Sequence, residues 1–262
     1  MKYIIPELAE IQTLTSRINT IQSLPDNPMG AERVVRGNTH AFAVKEIPGP
    51  AFNTVRGLNS YDLKYLDEIL FFYKELSVSF RIEVTPLNSS DQLFRKLSDM
   101  EYYQSGFHSS FIRSVSSIKS GSLSTTIEVR PLKKDEFNLF SAIYVNAFGL
   151  PTFIQDGIQQ NNQILYDVPG WNFYLALRQN VPVGIGVLYV EGELATLAAA
   201  ATLPAYRGMG VQRALLNKRI EKAVEHGAKY ITSEAVFGSS SHRNMERQGM
   251  KLAYTKAIWT KR

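Results

Sequence analysis

The stretch LPAYRGMGVQRALL, residues 203–216, decides how the rest of the chain is read. Pro204 ends an apolar run, Gly208 and Gly210 flank Met209, and Val211 opens a segment with apolar residues at helical spacing. The first amides of a helix have no carbonyl partners and the helix dipole adds partial positive charge. An anion there is favoured by about 0.3–1 kcal/mol. Glycines remove the Cβ atoms that would hold a pyrophosphate away from those amides, and Arg207 adds a charge-assisted donor. The segment therefore points to a phosphate-bearing ligand.

The charge distribution agrees. From Arg207 to Arg262 there are 12 Lys or Arg against 4 Glu, whereas the remainder holds 17 basic and 20 acidic residues. A basic block of this kind suits a small polyanion. Nucleic acid is not expected, because there is neither an RNP-like aromatic pattern nor a recognition-helix signature. The chain has no cysteine, and its four histidines (His40, His108, His226, His242) include no i, i+4 pair, so no metal is expected. The N-terminal MKYIIPELAE lacks the apolar core of a signal peptide, and no run reaches the roughly 18 apolar residues of a membrane helix. A cytoplasmic protein without a membrane partner is the expectation.

Working outward, Leu194 to Leu203 reads as a strand paired with Val183 to Val190 around the turn VEGE. Its run Ala198 to Ala201 leaves room for a ligand beside the backbone. The helix after the turn places Leu216, Ile220, Ala223 and Val224 on one face and Asn217, Lys218, Glu221 and Glu225 on the other, ending at His226-Gly227. A strand at Lys229 to Ser233, a short helix at Ser240 to Gln248 and a strand at Lys251 to Thr260 follow. Upstream, Thr126 to Val129 and Trp171 to Leu177 read as strands. A helix beginning near Asp135 carries Phe137, Phe140, Tyr144, Ala147 and Phe148 as a core stripe, and residues 149–170 read as less regular. Six serines between Ser114 and Ser124 mark a boundary. The expected domains are residues 1–113, a linker 114–125, and residues 126–262.

The first half echoes the second. A shift of 150 sets SSDQLFRKLSDM (89–100) on SSSHRNMERQGM (239–250), and a shift of 151 sets Arg56-Gly57 on Arg207-Gly208. In the first copy the second glycine is missing, since Leu58 and Asn59 follow Gly57.

Three phosphate-binding designs compete. A P-loop needs Gly-Lys-Ser/Thr after four intervening residues, which this chain lacks. A dinucleotide fingerprint fits poorly, because Arg213 stands where a third glycine would pack helix on strand, although Glu234 follows the next strand as a ribose-binding acid would. The third design is the R-x-x-G-x-G/A turn of the GNAT acyltransferase superfamily. ATLPAYRGMGVQRALL resembles its acetyl-CoA motif, and SHRNMERQGM resembles its later S-x-x-N segment. Gln212 stands where that motif has a small residue.

The resemblance implies a GNAT fold, an α/β (α+β) arrangement with a mixed, mostly antiparallel sheet flanked by helices, in two tandem copies of which the first is degenerate. It implies acetyl-CoA as acyl donor. Backbone groups at Thr202 and Leu203 would hold pantetheine, Arg207, Gly208, Met209, Gly210, Val211 and Gln212 the pyrophosphate, and Ser241 and Asn244 the cofactor arm. The implied activity is N-acetylation of a primary amine, a small molecule or a peptide, by direct attack in a ternary complex; a homodimer is compatible with it. The rival is a non-catalytic acyl-CoA-binding regulatory module.

An amine with a pKa near 10.4 is neutral in only about one part in a few thousand at pH 7, so a base is useful. Glu193, opening the motif strand, and Glu234, ending its neighbour, are the candidates. Many superfamily members place a tyrosine, the general acid, where this chain has Met245. Either Tyr206, Ser241 or His242 replaces it, or the thiolate leaves without an acid, or catalysis is lost.

Overall fold

The protein is described by a computed structural model covering residues 3–47, 49–117 and 126–262. Most of the serine-rich linker, residues 118–125, lies outside the described residues. Contacts divide the chain into two units. One comprises Met1–Ile112 and Glu234–Arg262, the other Arg113–Ser233. The first break falls beside the serine-rich segment. The second is one the sequence reading does not contain, because it ran the second domain unbroken to Arg262.

The first unit begins with α1 (Ile5–Gln22), whose Pro6 sits in the first turn where no amide partner is lost. Ala9, Leu14, Ile18 and Ile21 form its buried face, and Glu10 lies on the same face. Then come β1 (Ala31–Arg36), β2 (Thr39–Val44), β3 (Thr54–Arg56), α2 (Leu66–Leu76), β4 (Arg81–Val84), α3 (Asp91–Asp99) and β5 (Tyr102–Ser114). Ser90 caps α3 by accepting from the Leu93 amide.

The second unit contains β6 (Ile127–Pro131), α4 (Phe137–Phe148), α5 (Gln155–Gln163), β7 (Trp171–Arg178), β8 (Val181–Glu191), β9 (Leu194–Thr202), α6 (Val211–Glu225) and the first half of β10 (Tyr230–Val236). The chain then returns to the first unit with α7 (Ser240–Arg247) and β11 (Lys251–Lys261).

In the first unit the strand order is β1-β2-β3-β4-β11-β5, with β3 and β4 parallel and the other pairs antiparallel. In the second it is β10-β9-β8-β7-β6, with β9 and β10 parallel and the rest antiparallel. Each unit is thus the expected mixed, mostly antiparallel sheet. The internal echo is also visible, because each parallel pair is joined through an Arg-Gly turn and a helix. Gly57 and Gly208 share φ values of +76° and +78°.

The second unit's core joins Phe137, Phe140 and Ile143 to Leu175, Ile185, Val187 and Ala201. Phe148 leaves the expected stripe and is 52% exposed, because α4 ends there and Gly149 turns the chain with φ +64°. The segment expected to be irregular contains α5. Helix α6 packs closely on β8 because Gly184 permits it: a Cβ there would stand 2.7 Å from Val211 Cγ1. Val224, expected on the buried face of α6, is exposed, and Arg219 is buried instead.

Candidate functional site

Strand β9 is built to leave one edge open. It pairs with β10 only from Leu194 to Thr196, and no ladder partner is assigned to that edge beyond it among the described residues. Between the pairs Val187↔Ala199 and Tyr189↔Thr196, β8 advances two residues and β9 three. This is a bulge that gives β9 one extra residue, a feature that re-aims a strand. Leu203 N donates to Val183 O at 3.0 Å, so its amide faces β8. By the alternation of an extended strand, the backbone groups of Ala201 and Ala199 face β8 too, while those of Ala200 and Thr202 face the open edge.

The open edge ends at Thr202, and the chain reaches the start of α6 at Val211 through a 3-10 turn at Pro204–Tyr206 and the two glycines. Gly208 and Gly210 have φ of +78° and +85°, a region that disfavours residues with a Cβ. Gly210 is the N-cap and supplies no side-chain cap, and the first intrahelical bond is Ala214 N to Gly210 O at 3.0 Å. The amides of Val211, Gln212 and Arg213 therefore have no carbonyl partner within the helix. A Cβ on Gly208 would meet nothing within 4 Å, and one on Gly210 would meet only Arg213 Nη2, at 3.9 Å. The glycines face open space.

Gln212 has a defined task. Its Nε2 donates to Thr202 Oγ1 at 3.0 Å, tying the first turn of α6 to the last residue of β9. A small residue would leave that hydroxyl without this donor. Arg207 is exposed, but its Nη2 donates to Ala147 O at 2.6 Å, near the C-terminal end of α4, where the helix dipole favours a cation. One guanidinium donor is thereby committed to the scaffold. Met209 forms the exposed tip of the turn.

Thr202, Leu203 and residues 207–212 thus come together in the second unit. Glu193 lies in that unit as well, in the turn before β9. It is exposed and ion-paired with Lys229, and its carbonyl accepts from Lys229 N at 2.7 Å. Glu234, Ser241 and Asn244 belong to the first unit. On α7, Ser241 is exposed, Asn244 and Met245 are half-buried, and Ser239 caps the helix through the His242 amide at 3.1 Å. His242 is buried with Nδ1 3.0 Å from Ser109 Oγ. Ser109 is itself fully buried, so this pair has no access to a substrate.

Glu234 is not a free carboxylate. Lys256 Nζ lies 2.6 Å from its Oε2 and Arg56 Nη2 lies 3.4 Å from its Oε1. Burial pushes its pKa up, and these two cations more than reverse that, holding it at about 2. The same two cations engage Glu10 and Glu83, with Lys256 at 2.7 and 2.6 Å and Arg56 at 2.5 and 3.2 Å. The three carboxylates lie close enough together to suggest a metal site, but the ammonium of Lys256 is ion-paired with all of them.

Arg56 is the residue that the sequence repeat sets on Arg207. In the first unit its guanidinium is spent on carboxylates, and the Gly57 amide donates to Glu7 Oε1 at 3.2 Å. Asn88 Nδ2 holds the same Glu7 carboxylate, at 3.2 and 3.0 Å. The turn that would bind an external anion is filled by carboxylates of α1.

Sequence reasoning missed Arg219 and the Glu10–Glu83–Lys256 cluster. Arg219 lies four and eight residues after Leu215 and Val211, which are buried on α6, so helical spacing alone places it on the buried face. Glu83 was accessible through the repeat, since a shift of 151 sets it on Glu234.

Residues 137–250 match the model of the acetyltransferase (GNAT) family. Over this segment the chain carries the sequence pattern of that family. No curated protein sequence matches the chain. Among solved structures, a GCN5-related N-acetyltransferase from Kribbella flavida is similar with a TM-score of 0.70 at 12% identity, over 95% of this chain and 94% of that one. A functionally unknown conserved protein from Staphylococcus epidermidis follows at 0.68 and 12%, over 92% and 96%. A tandem GNAT protein from the clavulanic acid biosynthesis pathway gives 0.63 at 10%, over 95% and 94%. At such identities the likeness is one of fold. It extends over nearly the whole chain, so the likeness of fold takes in the N-terminal half as well.

Proposed function

We propose that this GNAT protein transfers the acetyl group of acetyl-CoA to a primary amine by direct attack in a ternary complex. The observation that carries this reading is the open edge of β9, tied at its last residue by Gln212 to the first turn of α6 with its bare amides. An extended pantetheine arm can pair with the Ala200 and Thr202 backbone as an added strand would, and the pyrophosphate then meets the amides of residues 211–213.

For the proton of the amine, neither candidate carboxylate is well suited. Glu234, held at about 2, is a poor acceptor. Glu193 precedes Ala200 by seven residues of extended chain, roughly 20 Å, too far to touch an amine attacking there. The amine therefore reacts from its neutral fraction, with solvent taking the proton. Turnover per mole of enzyme at subsaturating amine should rise about tenfold per pH unit from 7 to 9. Glu234→Gln should leave that slope unchanged, and a wild-type profile flatter than that of Glu234→Gln would restore Glu234 as the base.

The test of the reading itself is twofold. Acetyl-CoA should raise the melting temperature where NAD and NADP do not, and thiol should appear when a panel of primary amines is added. Binding without thiol release would favour the non-catalytic module, which Met245 at the tyrosine position supports, because a thioether has no proton to give. Titration calorimetry should find one acetyl-CoA per chain, since Glu7 and Glu10 already fill the equivalent turn of the first unit. A stoichiometry of two would overturn that assignment.

A further inference from the structure

Among the described residues Arg219 is the largest fully buried side chain, 1% exposed. Its hydrogen-bond partners are all carbonyls. Nε donates to Leu215 O at 3.1 Å, Nη1 to Val187 O at 3.2 Å and Ala199 O at 3.0 Å, and Nη2 is buried without a hydrogen-bond partner. Burial pulls its pKa down to about 10, with Tyr174 acting in the opposite direction, so the guanidinium stays charged at neutral pH. A buried charge without a counter-ion costs stability, and an apolar side chain of similar length would fill the same space without that cost. The backbone makes room for it at Gly186, where a Cβ would stand 3.1 Å from Arg219 Nε.

The carbonyl it holds is well placed. The C=O of Ala199 and the N–H of Ala200 belong to one peptide group and point in opposite directions. Arg219 therefore grips, from the β8 side, the peptide whose N–H lies on the open edge of β9, just past the bulge. A cation bonded to the carbonyl withdraws density from the peptide and makes its N–H a stronger donor.

We propose that Arg219 is a positioning residue for the acyl group: by holding the Ala199 carbonyl it aims and strengthens the Ala200 N–H as donor to the thioester oxygen of an acyl-CoA lying along β9. This rests on the acyl-CoA reading above. When the amine nitrogen bonds to the thioester carbon, the C=O π pair moves onto that oxygen, where the Ala200 N–H stabilises it. The pair returns as the C–S bond breaks, CoA leaves as thiolate, and the nitrogen gives its proton to solvent.

The experiment is isotope-edited infrared spectroscopy of [1-13C]acetyl-CoA bound to the wild type, Arg219→Met and Arg219→Lys, with affinities for acetyl-CoA and free CoA measured beside it. In the wild type the bound thioester C=O stretch should lie below that of free acetyl-CoA. Arg219→Met should lose most of that displacement and Arg219→Lys should keep part of it. The acetyl-CoA Kd should rise about fivefold in Arg219→Met, while that of free CoA, which has no acyl oxygen, changes less than about twofold. The melting temperature should hold or rise, a readout that a merely structural arginine would move down. An unchanged stretch in Arg219→Met, or parallel loss of both affinities, overturns the proposal while leaving the acyl-CoA reading intact. If Arg219→Met does not fold, Arg219→Lys decides alone: a smaller displacement supports the role and an unchanged one removes it. A wild type that binds neither thioester nor CoA overturns the underlying reading instead.

Discussion

Gly210→Asp is expected to abolish most acetyl-CoA binding while leaving the protein folded, and Gly210→Asn to weaken it far less. The two side chains are nearly isosteric, and both are the non-glycine residues best tolerated at φ near +60°, close to the +85° of Gly210. Their Cβ enters open space and meets no backbone. Each variant should therefore lose only about 1 kcal/mol of stability, the ordinary penalty for a Cβ in that region. The difference between them is one negative charge beside the amides of residues 211–213. At about 5 Å and an effective dielectric constant near 20, that charge opposes each phosphate charge by about 3 kcal/mol before salt screening. Calorimetry should read roughly a hundredfold rise in Kd for the aspartate and about tenfold or less for the asparagine. Equal effects would mean that the turn acts through backbone shape alone, and no effect from either would move the pyrophosphate away from α6.

The turn was legible in the sequence because its signals are local: a proline, two glycines and an apolar period that changes at Val211. The pairing of β8 with β9 was legible for the same reason. What escaped was what local spacing does not encode. Glu10 and Lys256 are separated by 246 positions, yet Lys256 Nζ donates to Glu10 Oε2 at 2.7 Å. For Arg219 the spacing places the residue on the buried face, but not the carbonyls of Leu215, Val187 and Ala199 that accept its charge there. Segment 155–163 was read as irregular because QDGIQQNNQ offers one aliphatic residue, Ile158. Its helix is stabilised by docking on α4 more than by propensity, as short helices generally are. The unity of residues 126–262 was assumed from motif order. The placement of α7 and β11 depends on strand pairing with β4 and β5, which no motif in either segment announces.

Lys256→Met should produce the largest loss of stability, about 3–5 kcal/mol, the range for breaking a buried ion pair from one side. Wild type balances Glu10, Glu83 and Glu234 against Arg56, Arg81 and Lys256, with Arg81 Nε donating to Glu83 Oε1 at 2.7 Å. Burial and the charge of Arg56 press Lys256 toward deprotonation, and the three carboxylates more than reverse this, raising its pKa. Burial raises Glu83, and Arg56, Lys256 and Arg81 more than offset it, holding it well below the usual carboxylate range. Glu234 is likewise depressed, to about 2. For groups depressed in the folded state, the stabilisation is complete above the unfolded pKa near 4.5 and fades as pH falls toward 2. Removing Lys256 leaves a surplus negative charge that protonation can relieve, so the variant's carboxylates titrate higher. Its deficit against wild type, read from urea midpoints, should therefore be largest at pH 8 and shrink as pH falls toward 5. Glu10, which burial already pushes upward, is the natural site for that proton. Adding Glu10→Gln to Lys256→Met should then recover most of the loss at pH 8 and little at pH 5, since neighbours in one network couple strongly. A deficit that stays constant with pH would instead mean that Lys256 acts through packing of its methylene stem.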